Sequence, residues 1–265
     1  MIQRERDYVA ALCAARAGLN VETEGGYLLE GRLGLVARRE GFGSTSELVR
    51  VVRERGEERL VWAVVEAMAP SGTAFFRDPQ VFDALARDLM GRPVGGAPLR
   101  IWSAACGTGQ EVHSLAMLLE ERRLDGVELF ASDLGERALE RAKSGLYGAI
   151  EVQRGLSARR LVRHFANSDE AFLLAPGLRR RVRWRRMNLL EVPAGAGAFD
   201  VILCRYVLGS LLEPARDRVL GHLSQALRPG GQLVLGLDET APGFAPVEGR
   251  PGVFAPIPME TAAAA

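Results

Sequence analysis

The residues best suited to chemistry follow a short apolar run that ends in small residues and two glycines. Residues 99–111 read LRIWSAACGTGQE, and apolar residues with a helical period come next. This order predicts a strand, a tight glycine turn and a helix, the opening unit of a nucleoside-binding sheet. Gly107 and Gly109 let the backbone approach a ligand closely, because glycine has no Cβ.

Two acidic residues narrow the class of ligand. Glu111, at the start of the helix, would repel a pyrophosphate and suits a ligand with hydroxyls and a cationic centre. Asp133 closes the next apolar run roughly 20–25 residues after the turn, where such folds place a ribose-binding carboxylate. With no P-loop lysine in the chain, this pattern favours S-adenosylmethionine (SAM) over NAD or ATP. The alternative is an ordinary turn in which Asp133 only caps the following helix.

Composition excludes several other classes of protein. The chain has 265 residues, 48% of them hydrophobic, and a formal net charge of +1. It can bury a sizeable core, and its charge gives no general attraction to nucleic acid or to a membrane surface. Cys13, Cys106 and Cys204 lack metal-binding spacing, so we expect no metal and buried thiols. With no signal peptide and no membrane-spanning run, the protein is expected to be cytoplasmic.

The elements that position the candidate residues form an α/β pattern. Residues 1–70 have helical periodicity and predict an all-helical N-terminal domain, and residues 71–98 form a linker and a helix. Residues 99–258 predict a mostly parallel, Rossmann-like sheet. Within them the alternation stops at residues 146–187, where we expect an inserted basic β-subdomain. Residues 259–265 are expected to be a disordered tail.

The predicted insertion is rich in arginine. A run of this kind is usually a solvated face, but it could also dock an acidic peptide or, less readily, nucleic acid. Within the insertion its acidic partners are only Glu151, Asp169 and Glu170. The arginines are Arg154, Arg159, Arg160, Arg163, Arg179, Arg180, Arg181, Arg183, Arg185 and Arg186.

The segment Thr73–Pro79, Thr-Ala-Phe-Phe-Arg-Asp-Pro, breaks the helical pattern. It could be a plain hinge in which Phe75 and Phe76 pin the helical part to the sheet. In the functional interpretation Thr73 and Arg77 face the ligand cleft, where a guanidinium could orient a substrate carboxylate through two hydrogen bonds. Composition alone favours the hinge.

Taken together, these segments resemble the CheR-type chemotaxis receptor glutamate O-methyltransferases over nearly the whole chain. The block at 73–79 and the block Ile-Trp-Ser-Ala-Ala-Cys-Gly-Thr-Gly at 101–109 are together highly specific. Further blocks follow in the same order: Ala-Ser-Asp at 131–133, Ala-Lys-Ser-Gly-Leu-Tyr at 142–147, Leu-Ser-Ala-Arg-Arg-Leu-Val-Arg-His-Phe at 156–165, Asn-Leu-Leu at 188–190 and Phe-Asp-Val-Ile-Leu-Cys-Arg at 199–205.

The resemblance implies a SAM-dependent methyltransferase that esterifies glutamates of a chemoreceptor and releases S-adenosylhomocysteine. It implies that Arg77 and Tyr206 are catalytic, that Glu111 lies near the methionine amino group, that Asp133 binds ribose hydroxyls and that Asn188 contacts adenine. Arg77 and Tyr206 are also among the cofactor contacts that the resemblance implies by position. The others are Thr73, Gly107, Gly109, Leu189 and Val207. The implied partner is the cytoplasmic domain of a methyl-accepting chemotaxis protein, whose C-terminal peptide could bind the insertion. We expect a monomer that binds neither nucleic acid nor membrane.

The chain departs from the family pattern on the acceptor side. Tyr206 stands where the family has a cofactor-contacting Asn, and Ser210 where it has the active-site Tyr. Residues 236–239, Gly-Leu-Asp-Glu, replace Gly-His-Ser-Glu. Cofactor binding is therefore better supported than receptor methylation, and two alternatives stay open: a different protein or small-molecule acceptor, and a non-catalytic SAM-binding adaptor. If residues 206–210 are helical, Tyr206 and Ser210 share a face, and Tyr206 could return a phenol to the pocket.

Overall fold

The computed structural model describes residues 1–21, 26–70, 72–91, 97–191 and 199–257, so the tail predicted at 259–265 lies outside the described residues. None of the helices in these ranges has the length and apolar character needed to cross a membrane. The chain begins with four helices, and a fifth leads into the sheet: α1 (Gln3–Ala17), α2 (Gly26–Arg39), α3 (Thr45–Arg55), α4 (Glu58–Met68) and α5 (Pro79–Met90).

The first four helices form because apolar residues recur with a helical period and pack against one another. In α4, for example, Leu60, Val61, Val64 and Val65 are all buried. Ser44 begins α3 as its sequence predicts, since its hydroxyl accepts a hydrogen bond from the Glu47 N–H at 3.1 Å.

The central sheet has seven strands in the order β6-β2-β1-β7-β8-β10-β9. The first five are parallel to their neighbours, and β10 is antiparallel to both β8 and β9. This confirms the predicted mostly parallel α/β fold. The strands are β1 (Leu99–Ala104), β2 (Val127–Asp133), β6 (Val182–Arg186), β7 (Phe199–Leu203), β8 (Leu227–Val234), β9 (Phe244–Pro246) and β10 (Val253–Pro256). The helices α6 (Gln110–Glu121), α7 (Glu136–Ser144) and α11 (Glu213–Ala226) connect them.

The inserted β-subdomain is a three-stranded antiparallel sheet in the order β3-β5-β4. It comprises β3 (Leu146–Gly148), α8 (Ala149–Gln153), α9 (Ala158–His164), β4 (Phe165–Ser168) and β5 (Ala171–Leu174), and α10 (Pro176–Arg180) leads out of it. The predicted limit of 146–187 is wrong at its C-terminal end, because β6 pairs in parallel with β2 in the central sheet. The reason is that Val182 and Trp184 pack into the core while Arg183 and Arg185 alternate with them on the exposed side.

The arginine-rich stretch is not the unpaired basic surface that counting local charges suggested. Arg160 pairs with Glu121 at 2.9 Å, Arg183 with Glu128 at 3.5 Å and Arg186 with Glu66 at 2.9 Å. Arg179 and Arg181 donate to the carbonyl oxygens of Ser144 and Leu124. These partners lie outside the stretch or at its edge, so much of its charge serves to attach it to the rest of the protein.

The helical part contacts the sheet where its parallel strands end. The Asn20 N–H donates to the Ser210 carbonyl and the Leu212 N–H to the Gly18 carbonyl, both at 2.8 Å. Gly18 has a φ of 66°, and a Cβ there would lie 2.3 Å from the Ala215 Cβ, so only glycine permits this contact. In open α/β sheets, ligands bind at these carboxyl ends of the strands.

Candidate active site

The turn after β1 is built as its glycines predict. Gly107 and Gly109 have φ angles of 55° and 88°, in the region that favours glycine. A Cβ at Gly107 would lie 3.3 Å from the Thr73 Cγ2, so Thr73 packs directly on the turn. A Cβ at Gly109 would lie 2.8 Å from the Ala142 Cβ, so Gly109 permits close packing of α7. Thr73 and Gly107 are therefore neighbours, whereas Gly109 faces a helix.

Asp133 ends β2 with its carboxylate against the turn. Its Oδ2 accepts from the Gly107 N–H at 2.7 Å and its Oδ1 from the Gly135 N–H at 2.8 Å. Burial raises the pKa of Asp133, and the hydrogen bonds from the Gly135, Gly107 and Leu134 backbone only partly offset this. A carboxylate has about four acceptor sites, so after these three contacts Asp133 still has acceptor capacity for a ligand hydroxyl, as in a ribose.

A cavity with mainly apolar walls opens beside Asp133. Its walls come from both parts of the protein: Ala17, Leu19, Ala69 and Pro70 from the helical part and linker, and Ala105, Leu134, Met187, Asn188, Leu189, Val207, Leu211 and Val219 from the sheet part. Four residues predicted to bind the cofactor, Asp133, Asn188, Leu189 and Val207, thus share one cavity.

Asn188 has a structural role as well as its place in this cavity. Its Nδ2 donates to the Arg16 carbonyl at 2.7 Å, and its Oδ1 accepts from the Leu190 N–H at 3.1 Å. It therefore ties the end of α1 to the loop after β6. One N–H and one lone pair of the amide remain for a ligand.

Glu111 is paired within the protein. Its Oε1 accepts from the Ser103 hydroxyl at 2.8 Å, and its Oε2 from Arg205 at 3.1 Å. The Arg205 side chain, only 2% exposed, also donates to the Arg77 carbonyl at 2.9 Å and to the Asp78 carboxylate. Two carboxylates thus flank one buried guanidinium, and this cluster has a formal charge of −1.

Tyr206 holds the Arg77 side chain. The Arg77 guanidinium carbon lies 3.3 Å from the centroid of the Tyr206 ring, a cation–π contact. The Tyr206 hydroxyl donates to the Asp78 carboxylate. Burial and this hydrogen bond raise the pKa of Tyr206. The ring also lies against Gly236, where a Cβ would be 2.5 Å from the Tyr206 Cε1.

The condition under which Tyr206 and Ser210 would share a helical face is not met, because residues 206–210 do not form an α-helix. Tyr206 has a φ of 61°, and only Leu208–Ser210 form a short 3-10 turn. The Ser210 hydroxyl donates to the Val207 carbonyl at 2.6 Å instead of sharing a face with Tyr206. Glu239 accounts for the bend, because its carboxylate accepts from the N–H groups of Tyr206 at 2.6 Å and Gly236 at 2.8 Å.

Backbone strain concentrates at this site. Six non-glycine residues among those the structure describes have a positive φ, and four of them lie here: Phe76, Asp78, Ala105 and Tyr206. Such conformations cost on the order of 1–3 kcal/mol each, and they cluster at functional sites where the surroundings hold them.

Residues 71–249 match the family model described as "CheR methyltransferase, SAM binding domain". This chain belongs to that family. It is 36% identical over 246 residues to chemotaxis protein methyltransferase 1 of Pseudomonas aeruginosa, covering 88% of each chain. It is 32% identical over 264 residues to chemotaxis protein methyltransferase Cher2 of Pseudomonas putida, covering 94% of each. It is also 34% identical over 242 residues to the probable biofilm formation methyltransferase WspC of P. aeruginosa, covering 89% of this chain and 57% of that one.

Membership in the CheR family confirms the resemblance, the fold class and SAM as cofactor. Three residues at the site were not proposed as site residues from the sequence. Asp78, Arg205 and Glu239 all lie in blocks that carried the resemblance or marked a departure from it, yet their contacts join distant parts of the chain. An arginine directly after a buried strand was the one local signal that a buried ion pair was present.

Proposed function

We propose that this CheR-family methyltransferase transfers the methyl group of SAM to glutamate side-chain carboxylates of a chemoreceptor-like protein, giving methyl esters. One observation carries the proposal. Among the described residues, the Arg77 side chain has a single hydrogen-bond acceptor, the Gly72 carbonyl at 3.3 Å, and no carboxylate pairs with it. Neighbouring Arg205 has two carboxylate partners. An unpaired, oriented guanidinium suits a substrate carboxylate.

The residues around the cleft fit SAM, the group that supplies an already activated methyl on a sulfonium. Asp133 would accept the ribose hydroxyls, and the cavity lined by Leu134, Leu189 and Val207 would hold the adenine. The cluster of Glu111, Arg205 and Asp78, with its formal charge of −1, would attract the cationic methionine end of the cofactor. Thr73 and Gly107 would contact the bound cofactor, and at Gly107 the absence of a Cβ would let the cofactor approach the backbone.

The protein needs no strong base for this transfer, because a glutamate carboxyl has a pKa of about 4.3 and is ionised at neutral pH. What remains is to align the carboxylate oxygen with the methyl carbon and sulfur and to exclude water. Arg77 would hold the carboxylate, and Tyr206 would keep the guanidinium in place. Both residues would act by orientation, which makes the exact position of Arg77 the decisive feature.

The partner would be the cytoplasmic domain of a receptor, methylated by a cytoplasmic, monomeric enzyme. The small sheet β3-β5-β4 would contact that receptor's tail peptide. A second candidate function keeps the chemistry and changes the acceptor protein. It is favoured by Tyr206 and Ser210, which alter the acceptor side, and by the similarity to WspC, whose name refers to biofilm formation.

The test measures transfer of radiolabelled methyl from SAM to receptor cytoplasmic domains encoded in the same genome. Base-labile label on glutamate is the expected result, with Arg77→Ala reducing transfer at least about 100-fold while SAM affinity stays within about twofold. Base-stable label would support the second candidate. SAM binding without turnover on any acceptor would support a non-catalytic adaptor, and absence of SAM binding would contradict all of these functions.

A further inference from the structure

The two residues before Arg77 are enclosed by the inserted subdomain. Phe75 is fully buried, and its ring packs edge-on against Tyr147 at 4.9 Å and Phe165 at 5.7 Å between centroids. Gly155 touches the same residue from another side, since a Cβ there would lie 1.8 Å from the Phe75 carbonyl oxygen. The insertion is therefore part of the support of the segment that carries Arg77.

Phe76 is held by one arginine of the insertion. The Arg160 guanidinium carbon lies 3.6 Å from the centroid of the Phe76 ring, so the cation covers the ring face. Arg160 is itself oriented by Glu121 on α6, because its Nε and Nη2 donate to the two carboxylate oxygens at 2.9 Å each. His164, also on α9, contacts Glu121 at 3.2 Å. Glu121 thus fixes the Arg160 guanidinium over the Phe76 ring, and we call this pair of residues the clamp on Phe76.

The clamped turn has a strained backbone. Phe76 and Asp78, on either side of Arg77, have φ angles of 47° and 60°. A backbone of this kind persists only where its surroundings over-determine it. The Phe76 N–H adds one such contact, donating to the Ser114 hydroxyl at 2.9 Å. Without its clamp, the turn would be free to relax and to carry Arg77 with it.

We propose that Arg160 is a positioning residue for Arg77: held by Glu121, it packs on Phe76 and fixes the strained turn from which the Arg77 side chain projects. The inserted subdomain thereby takes part in methyl transfer from a distance. A partner that binds the subdomain and shifts α9 would change turnover through Arg77. This inference rests on the proposed role of Arg77 in transfer.

The test compares Arg160→Met with Arg159→Met, a matched control on the same helix whose side chain is exposed. Methionine keeps an apolar stem near Phe76 and removes the cation. We expect R160M to lower kcat about 10- to 100-fold with SAM affinity unchanged, because a small misplacement of a catalytic group is costly. R159M should match the wild type. Glu121→Gln, which keeps the size of the side chain, should also lower kcat, as R160M does.

A double-mutant cycle separates positioning from general damage. In an R77A background, R160M should cause no further loss of turnover, because the group that it positions is already gone. Equal losses in both backgrounds, or an R160M enzyme as active as R159M, would overturn the inference.

A readout without activity keeps this test distinct from that of the proposed function. Backbone amides of residues 72–78 should exchange with deuterium faster in R160M than in the wild type, and at the wild-type rate in R159M. If the wild type methylates no acceptor, the proposed function fails while exchange still decides whether Arg160 holds the turn. Unchanged exchange in R160M would overturn the inference that Arg160 holds this turn in place.

Discussion

The buried Arg205 gives the sharpest prediction about how the site is held together. Its guanidinium contacts Glu111 at 3.1 Å, the Arg77 carbonyl at 2.9 Å and the Asp78 carboxylate. Arg205→Met keeps most of the side-chain volume but leaves two carboxylates, 12% and 19% exposed, without their cation. Removing one partner of a buried ion pair typically costs about 3–5 kcal/mol. Since water reaches both carboxylates slightly, we expect about 3 kcal/mol from R205M.

Urea unfolding followed by circular dichroism measures this loss as a change in the free energy of unfolding. Arg218→Met, an exposed arginine on α11, is the control and should change stability by less than about 0.5 kcal/mol. A deficit below about 1 kcal/mol would refute the ion-pair reasoning.

Three further predictions concern single residues. Gly236→Ala should displace the Tyr206 ring, since the new Cβ would start 2.5 Å from its Cε1. Methyl transfer should fall about tenfold or more in a methylation assay, and calorimetry should show that SAM affinity is retained. Asp133→Asn should weaken SAM binding at least about tenfold by calorimetry, because the amide offers one acceptor oxygen in place of two; wild-type affinity would argue against the ribose role. Burial lowers the pKa of His113 to about 3, so the folded protein keeps this group neutral while the unfolded chain takes up a proton below about pH 6.5. Stability should therefore fall as the pH drops from 6.5 to 3, by up to about 1.4 kcal/mol per pH unit, and His113→Phe should flatten this dependence in urea unfolding at several pH values.

Local order in the sequence was enough to predict the fold class and to place the glycine turn beside the end of the second strand. The glycine turn and Asp133 each follow an apolar run directly, and the parallel pairing of β1 with β2 brings them together, Ala104 opposite Ser132. The helices within residues 1–70 could also be predicted, because the helical period of their apolar residues is a local signal that depends on no distant part of the chain.

The acceptor end depends on contacts that no local pattern encodes. Asp78, Glu111 and Arg205 come from three separated segments, so the sequence around any one of them does not show that they pair. The backbone bends at Tyr206 because Glu239, more than thirty residues later, accepts a hydrogen bond from its N–H. The assignment of β6 to the insertion failed similarly, because its partner β2 lies before the insertion in the chain.

The most direct test of the account is a parallel measurement of methyl-ester formation and SAM affinity for the wild type, Arg77→Ala and Arg77→Lys, with a receptor cytoplasmic domain as acceptor. The account predicts base-labile esters from the wild type, near-complete loss with R77A, partial activity with R77K because a cation without the planar fork remains, and SAM affinity within about twofold throughout. Wild-type ester formation by R77A would contradict it.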